Sequence, residues 1–371
     1  MPSAAIAAHA PPPVAPDWQR AVRSILVIKW SALGDAALAS AILEDLHAAF
    51  PQAAIDLDTS PAAQPLYAAD PRLRRVLTPD ARAGGRLRAA LRWLRVVRAG
   101  RYGLVVDLQC SDHSRLLLAL LRLSGRAPRH CLGFRGGLPY RPRPPALPRR
   151  TPPLEAMRGM LARAGIAARA RQPVLHVPAA LAEDARRRLD ARGLAPGTYA
   201  VFMPGSQAAG RLKRWSAESY AALGRLLLDA GAAHIVVLGA ADEAGACTEI
   251  AARIESSHPG RALWLRELAL PQIVSVCAGA RRIVANDTGI AHIAAAAGRP
   301  LLMLCGPTDP RRVKPPGTAV RAVQARGGCL DCYGKTCRYG GAPRCLARIT
   351  PDAVAGLLAD PPHIPADLAV Y

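Results

Sequence analysis

The chain has 371 residues, of which 51% are hydrophobic and only 4% aromatic, with 49 Lys and Arg against 27 Asp and Glu. That length suits two domains of ordinary size, and an Ala- and Leu-rich filling suits helices packed over sheets rather than a β-sandwich. No run of 18 uncharged apolar residues occurs, which excludes a membrane-spanning helix by composition.

Residues 1–16 are rich in Ala and Pro and show no basic region followed by an apolar stretch. A disordered leader over residues 1–20 is expected rather than a secretory signal. Residues 24–30 are a short apolar, β-branched run that reads as a buried strand. A tight loop, 31–35, precedes a helix over 36–50, where Leu38, Ile42, Leu43 and Leu46 recur at spacings of three and four. Pro51 stops it, and a second strand begins at Ala54. Strand, loop, helix and strand in that order open a parallel α/β unit. The pattern returns with a strand over 102–109 and a helix over 115–123. Residues 135–153, dense in Pro, Arg and Gly, read as a long loop, followed by a helix over 154–164.

The segment 169–178 reads as a linker, after which the design restarts. Strands are expected at 199–203, 235–238, 282–285 and 301–304, the last completing the sheet. Helices are expected at 216–230 with Ser216 as N-cap, and at 243–254, 270–277 and 291–297. Two tandem α/β domains follow: 21–173 and 174–350, with a helix and tail over 351–371. A ligand belongs in the cleft beyond the carboxyl ends of their strands.

The excess positive charge, +22 in all, is mostly Arg and is dense between Arg72 and Arg101. It points to an anionic partner or to solvated helix faces. A nucleic-acid partner is disfavoured, because the arginines are spread over several helices without interleaved aromatics or a binding motif.

Four segments have the chemistry of a site. Asp287, Thr288 and Gly289 follow a strand and open a helix, where free N–H groups and the positive helix end attract an anion; an ordinary N-cap is the alternative. Pro204, Gly205 and Ser206, then Lys213 and Arg214, form a second such loop, whose cations suit a departing diphosphate or are simply solvated. Glu243 follows a third strand and suits either ribose hydroxyls or the start of its own helix. Asp35, beside Gly34, stands over the same cleft as a candidate general base, or as a favourable charge in a first helical turn. Cys329, Cys332, Cys337 and Cys345 lie close enough in sequence for a metal cluster, although their spacing matches no standard zinc ribbon or ferredoxin run. Nine cysteines fit a reducing cytoplasm better than a disulfide framework.

Taken together, Ser31 to Asp35 with the closing Phe50-Pro51, the Pro204 to Trp215 segment, Asp287 to His292, Gly298-Arg299-Pro300, Gly306 to Pro310 and the late cysteines resemble glycosyltransferase family 9, the bacterial lipopolysaccharide heptosyltransferases. The resemblance runs in order from about Ser24 to Leu358. It implies a GT-B fold, with two facing Rossmann-like domains, the acceptor on the first and the donor on the second. It implies Asp35 as the base in an inverting, metal-independent transfer of heptose from ADP-heptose to a lipopolysaccharide inner-core acceptor, or of another nucleotide sugar to another glycan. Ser206, Lys213, Asp287, Thr288, Gly289 and His292 would hold the donor diphosphate, Glu243 would meet the ribose, and Ser31 and Gly34 would form the acceptor-side loop. It further implies an anionic core precursor as partner and a cytoplasmic enzyme, peripheral on the inner membrane. A structural metal at the cysteines is the one cofactor left open.

Overall fold

The computed structural model describes residues 17–78, 85–125, 128–144, 146–148, 150–206, 208–340 and 343–371. Most of the expected leader, 1–16, lies outside them, as does Arg82. The leader's last residues are folded: Asp17–Ala21 form α1, and Trp18 lies 4.3 Å from the His130 ring.

The first domain is a five-stranded, all-parallel sheet in the order β3-β2-β1-β4-β5. Its elements are β1 (Ser24–Lys29), α2 (Leu33–Ala49), β2 (Ala54–Thr59), β3 (Leu73–Leu77), α3 (Arg86–Gly100), β4 (Leu104–Asp107), α4 (Asp112–Leu123), β5 (His130–Gly133) and α5 (Pro153–Arg163). Helix α2 begins three residues earlier than the periodicity implies, because Leu33 and Gly34 are already helical. Asp35 is therefore a first-turn helical residue and not a loop residue. Eleven of the 17 residues of α2 are buried, on nearly every face, since it lies between the two domains.

Several of the clustered arginines turn inward. Arg72 is buried against Asp70 and Glu44, while Arg74 and Arg75 both grip the buried Asp56 at 2.7 Å. Burial alone would push the Asp56 carboxyl up, but those two guanidiniums and the Tyr102 hydroxyl hold it below its usual range. Part of the arginine cluster is thus architectural.

The segment between the domains is strapped to the first. Asp45 accepts the N–H groups of Arg169 and Ala170 and is paired with Arg158 at 3.0 Å. Ser40 Oγ accepts from the Val174 N–H at 2.9 Å.

The second domain has a seven-stranded sheet, β12-β11-β10-β9-β6-β7-β8, parallel except for the antiparallel β11–β12 pair. In chain order it contains α6 (Ala179–Asp190), β6 (Tyr199–Met203), α7 (Ala217–Asp229), β7 (His234–Val237), α8 (Ala244–Glu255), β8 (Ala262–Trp264) and α9 (Leu270–Ala278). Then come β9 (Arg282–Asn286), α10 (Gly289–Ala294), β10 (Leu301–Leu304), α11 (Pro310–Val313), β11 (Val320–Ala325), α12 (Arg344–Ala347), α13 (Pro351–Leu358) and β12 (Leu368–Val370). Ser216 caps α7 as expected, accepting the Ser219 N–H at 3.0 Å. The sheet does not end at 301–304. Two more strands follow, and the C-terminal segment 351–371 belongs to this domain, with β12 on its edge and α13 against α7.

Both sheets reverse strand order once, between β1 and β4 and between β6 and β9. Ligands bind parallel α/β sheets at such switch points. The loops after β1, β6 and β9 are the ones that the sequence singles out. The architecture is GT-B: two Rossmann-like domains facing across a cleft.

Candidate active site

The domains meet where α2 and α10 come together. Gly34 and Gly289 touch there: a Cβ built on Gly34 would stand 3.1 Å from Gly289 Cα and 2.9 Å from the His292 ring. A Cβ on Gly289 would stand 3.1 Å from the Gly34 nitrogen. Neither residue has a positive φ. They are glycines because two helix starts approach closely, and a side chain on either would wedge the domains apart.

A cleft of about 390 Å³ opens at this contact. Its walls include Gly34 and Asp35 from the first domain, and Ser206, Lys213, Asp287, Thr288, Gly289 and His292 from the second. Most of the residues expected of a site are therefore in one place, with groups from the two domains on opposite walls.

Asp35 is partly exposed and paired with Lys29, whose Nζ lies 3.2 Å from Oδ2. Lys29 is itself buried at the end of β1 and also donates to the Leu108 carbonyl at 3.3 Å. A lysine held from two sides fixes the carboxylate's orientation at the cleft wall. Ser31 is not among the cleft's lining residues. Its N–H donates to Gln109 Oε1 at 3.1 Å and its Oγ accepts from Gln109 Nε2, which ties the loop after β1 to β4.

On the opposite wall the capping alternative for 287–289 fails. Thr288 occupies the N-cap position of α10 but its side chain makes no capping bond. Asp287 is engaged elsewhere: its Oδ2 is 2.8 Å from Lys213 Nζ and accepts the Thr308 hydroxyl at 2.9 Å. The carboxylate thereby aims the ammonium into the cleft, in front of the free N–H groups of the α10 start. Asn286, fully buried, binds the two loops together. Its Nδ2 donates to the Pro204 carbonyl, and its Oδ1 accepts from the Trp215 N–H and the Tyr220 hydroxyl.

Arg214, a candidate partner of Lys213 on the diphosphate, is not among the residues lining the cleft. Its guanidinium donates to Ser206 Oγ at 3.1 Å and to the Ser206 carbonyl, and stands 3.9 Å from Glu243. It braces the Ser206 loop from behind. Glu243 likewise lies off the cleft walls. Its Oε2 accepts the Ala240 N–H at 3.0 Å, and its carboxylate fills the space where a Cβ on Gly205 would stand, 1.9 Å away. Burial raises its carboxyl above the usual range. The neighbouring turn opens a further cavity of about 490 Å³, lined by Gly239, Ala240, Trp264, Leu268, Ile273 and Ile290 among others.

His292 is packed behind Gly34, and its buried Nδ1 has no partner. Burial lowers its proton affinity, so the ring is neutral near pH 7.

Sequence reasoning misses Lys29, Thr308 and Arg312. Lys29 is the polar end of an otherwise apolar strand, a weak signal, and Thr308 sits in a segment noted only as a motif. Arg312 on α11 lines both the cleft and a neighbouring cavity of about 440 Å³, shared with Phe134, Arg135, Gly136, Thr151 and Ala156. That cavity draws on both domains and shares Arg312 with the cleft.

The cysteines hold no disulfide. Cys329, Cys332, Cys337 and Cys345 line one pocket of about 220 Å³ next to Leu212 and Pro307. Among the described residues no group of three His, Cys, Asp or Glu side chains is placed to hold a metal ion.

The profile of glycosyltransferase family 9 (heptosyltransferase) matches residues 90–342. Lipopolysaccharide heptosyltransferase 2 of Escherichia coli K12 is 36% identical over 127 residues, covering 33% of this chain and 35% of that protein. Lipopolysaccharide heptosyltransferase 1 of Pseudomonas aeruginosa is 31% identical over 185 residues, covering 46% and 50%. The matched segments thus span half or less of these relatives. The solved structure of the E. coli ADP-heptose lipopolysaccharide heptosyltransferase II superposes with a TM-score of 0.71 at 26% identity, covering 90% of this chain and 96% of that one. The shared fold, the ordered motifs and a profile match over more than half of the sequence place the chain in glycosyltransferase family 9, the heptosyltransferase family.

Proposed function

We propose that the protein is an inverting glycosyltransferase that moves heptose from ADP-heptose to a hydroxyl of a lipopolysaccharide inner-core acceptor. One observation carries the reading: Asp35 and the Lys213–Asp287–Thr288–Gly289 group line one cleft from opposite domains. A base and an anion site on facing walls are what a displacement at an anomeric carbon between them requires.

In this reading Asp35 takes the proton of the acceptor hydroxyl as its oxygen attacks the anomeric carbon from the first domain's side. The bond from that carbon to the phosphate oxygen breaks on the opposite face, and ADP departs with the electron pair. Lys213 Nζ, the Thr288 hydroxyl and the N–H groups at Gly289 meet the charge that accumulates on the diphosphate. Ser206 lies beside them on the same wall, and the neutral His292 closes the floor without adding a charge. The cavity along 239–273, mostly apolar with Trp264 at its side, takes the adenosine, and Glu243 stands at the turn where the ribose would pass. The cavity shared by Arg135 and Arg312 takes the acceptor, whose carboxylates and phosphates suit two guanidiniums that have no carboxylate partner among the described residues.

Lys213 and the helix end supply the positive charge that a metal ion supplies in other transferases, so the transfer is proposed to run without one, and the late thiols are read as packing groups. Such an acceptor is presented at the cytoplasmic face of the inner membrane, where the protein would act peripherally. No helix among the described residues is long and apolar enough to cross a membrane.

Purified protein assayed against ADP-heptose and a panel of hexose nucleotides, with and without EDTA, tests the reading. The expected result is turnover with ADP-heptose at a rate that the chelator does not change. Turnover with a hexose nucleotide and none with ADP-heptose would assign a different donor.

A further inference from the structure

Helices α3 and α4 lie side by side on one face of the first sheet, and each has more apolar surface than the core uses. On α3, Ala89, Trp93 and Val97 face inward, four residues apart, while Leu87 is 74% exposed and Leu91 is exposed one turn on. On α4, Leu117, Leu118 and Leu121 are buried, while Leu116, Leu120 and Leu123 form a second stripe at helical spacing, with Leu123 85% exposed. Eleven large apolar side chains are exposed among the described residues, and five of them are on these two helices. Leu138 adds a sixth beside them, since Arg122 on α4 donates to the adjoining Pro139 carbonyl at 3.1 Å. Leucines scattered singly need no explanation, but a run on neighbouring helices does.

The charge along α3 is of one sign, whereas α4 carries one exposed carboxylate, Asp112, paired with Arg115. Helix α3 has no acidic residue, and Arg88, Arg92, Arg95 and Arg98 are exposed along it. Arg88, Arg95 and Arg98 form no ion pair among the described residues. Exposed leucines flanked by unpaired arginines are complementary to a bilayer whose interface is apolar below and anionic above.

We propose that the α3–α4 face is a docking surface for an anionic lipid bilayer. The proposal rests on the reading of a lipid-linked acceptor and locates the contact that reading leaves undefined. The face adjoins the acceptor cavity: Arg115 on α4 packs against Gly136, where a built Cβ would stand 2.9 Å from its guanidinium carbon, and Gly136 lines that cavity. Docking there holds the cavity mouth next to the membrane plane. The surface is built from side chains outside the cleft, so it can fail or succeed independently of catalysis.

Vesicle flotation of the full chain tests this, with vesicles of phosphatidylglycerol and phosphatidylethanolamine against vesicles of phosphatidylcholine alone. Binding is expected only to the anionic vesicles and is expected to weaken as salt rises. A Leu87→Ser/Leu116→Ser/Leu123→Ser variant and an Arg88→Glu/Arg95→Glu variant should each bind the anionic vesicles roughly tenfold less well or worse. Both should keep wild-type ADP affinity and wild-type transfer to a delipidated, water-soluble acceptor. Wild-type vesicle binding by both variants would overturn the proposal. A wild-type dimer in size-exclusion chromatography that the leucine variant converts to monomer, without vesicle binding, would assign the face to a second copy of the chain instead. Absence of transfer to any acceptor, with vesicle binding intact, would fault the function and leave the docking surface standing.

Discussion

An Asp35→Asn variant is expected to transfer sugar about 10³-fold more slowly than the wild type while binding ADP with unchanged affinity. The amide keeps the shape of the carboxylate but cannot accept the acceptor's proton. The substitution also loses the ion pair with Lys29, which is 3.2 Å away and buried. Leaving that buried ammonium with only neutral acceptors, the Leu108 carbonyl and the amide oxygen, costs stability, so the variant's melting temperature is the accompanying control. Its nucleotide affinity is the second control, since the only ion pair of Asp35 among the described residues is with Lys29, in its own domain. Slow transfer with intact ADP binding identifies a base; slow transfer with lost ADP binding identifies a distorted cleft.

The second large effect belongs to Lys213. Lys213→Ala is expected to lower kcat by about 10²- to 10³-fold, because one preformed cation facing a leaving group supplies stabilisation of that order. Unlike the change at Asp35, it is also expected to weaken ADP binding, because the proposed diphosphate site uses the same ammonium. Its loss leaves Asp287, mostly buried, with only the Thr308 hydroxyl, so an unpaired carboxylate would repel a phosphate placed there. Lys213→Ala/Asp287→Asn should therefore recover part of the ADP affinity lost in the single variant. Equal affinity in the single and double variants would show that Asp287 does not act through Lys213.

The site was legible where local pattern and chemistry coincide. A strand, a Gly-containing loop and a helix start mark 204–213 and 287–289, and the same order marks Gly34 and Asp35; all three segments line the cleft. The choice between cap and anion site could not be made from the sequence. It depends on Asp287 turning to Lys213, 74 positions earlier in the chain, instead of to its own helix. The roles of Arg214 and Glu243 diverged from expectation for a related reason: both lie behind the loops and hold them in shape.

Lys29 and Arg312 were not legible at all, because nothing local distinguishes a lysine that ends a strand or an arginine on a one-turn helix. Their meaning comes from what the fold places beside them. In the fold, most strands with long buried runs were found, but β11, six residues and mostly buried, was missed, as were β3, β5 and β8, short and half polar or near a sheet edge, and the C-terminal β12. Edge strands bury one face or less and give a weak periodic signal. The glycines at 34 and 289 also acquire their reason only from the structure, where two helix starts meet across the domain boundary.

The donor diphosphate is proposed to rest on the α10 side of the cleft, with Asp35 across from it. A crystal structure of the protein with ADP tests it most directly. The β-phosphate is expected within hydrogen-bonding distance of Lys213 Nζ and the Thr288–Gly289 N–H groups, and the adenine in the cavity beside Trp264. ADP bound elsewhere, or with its phosphates turned away from Lys213, would contradict it.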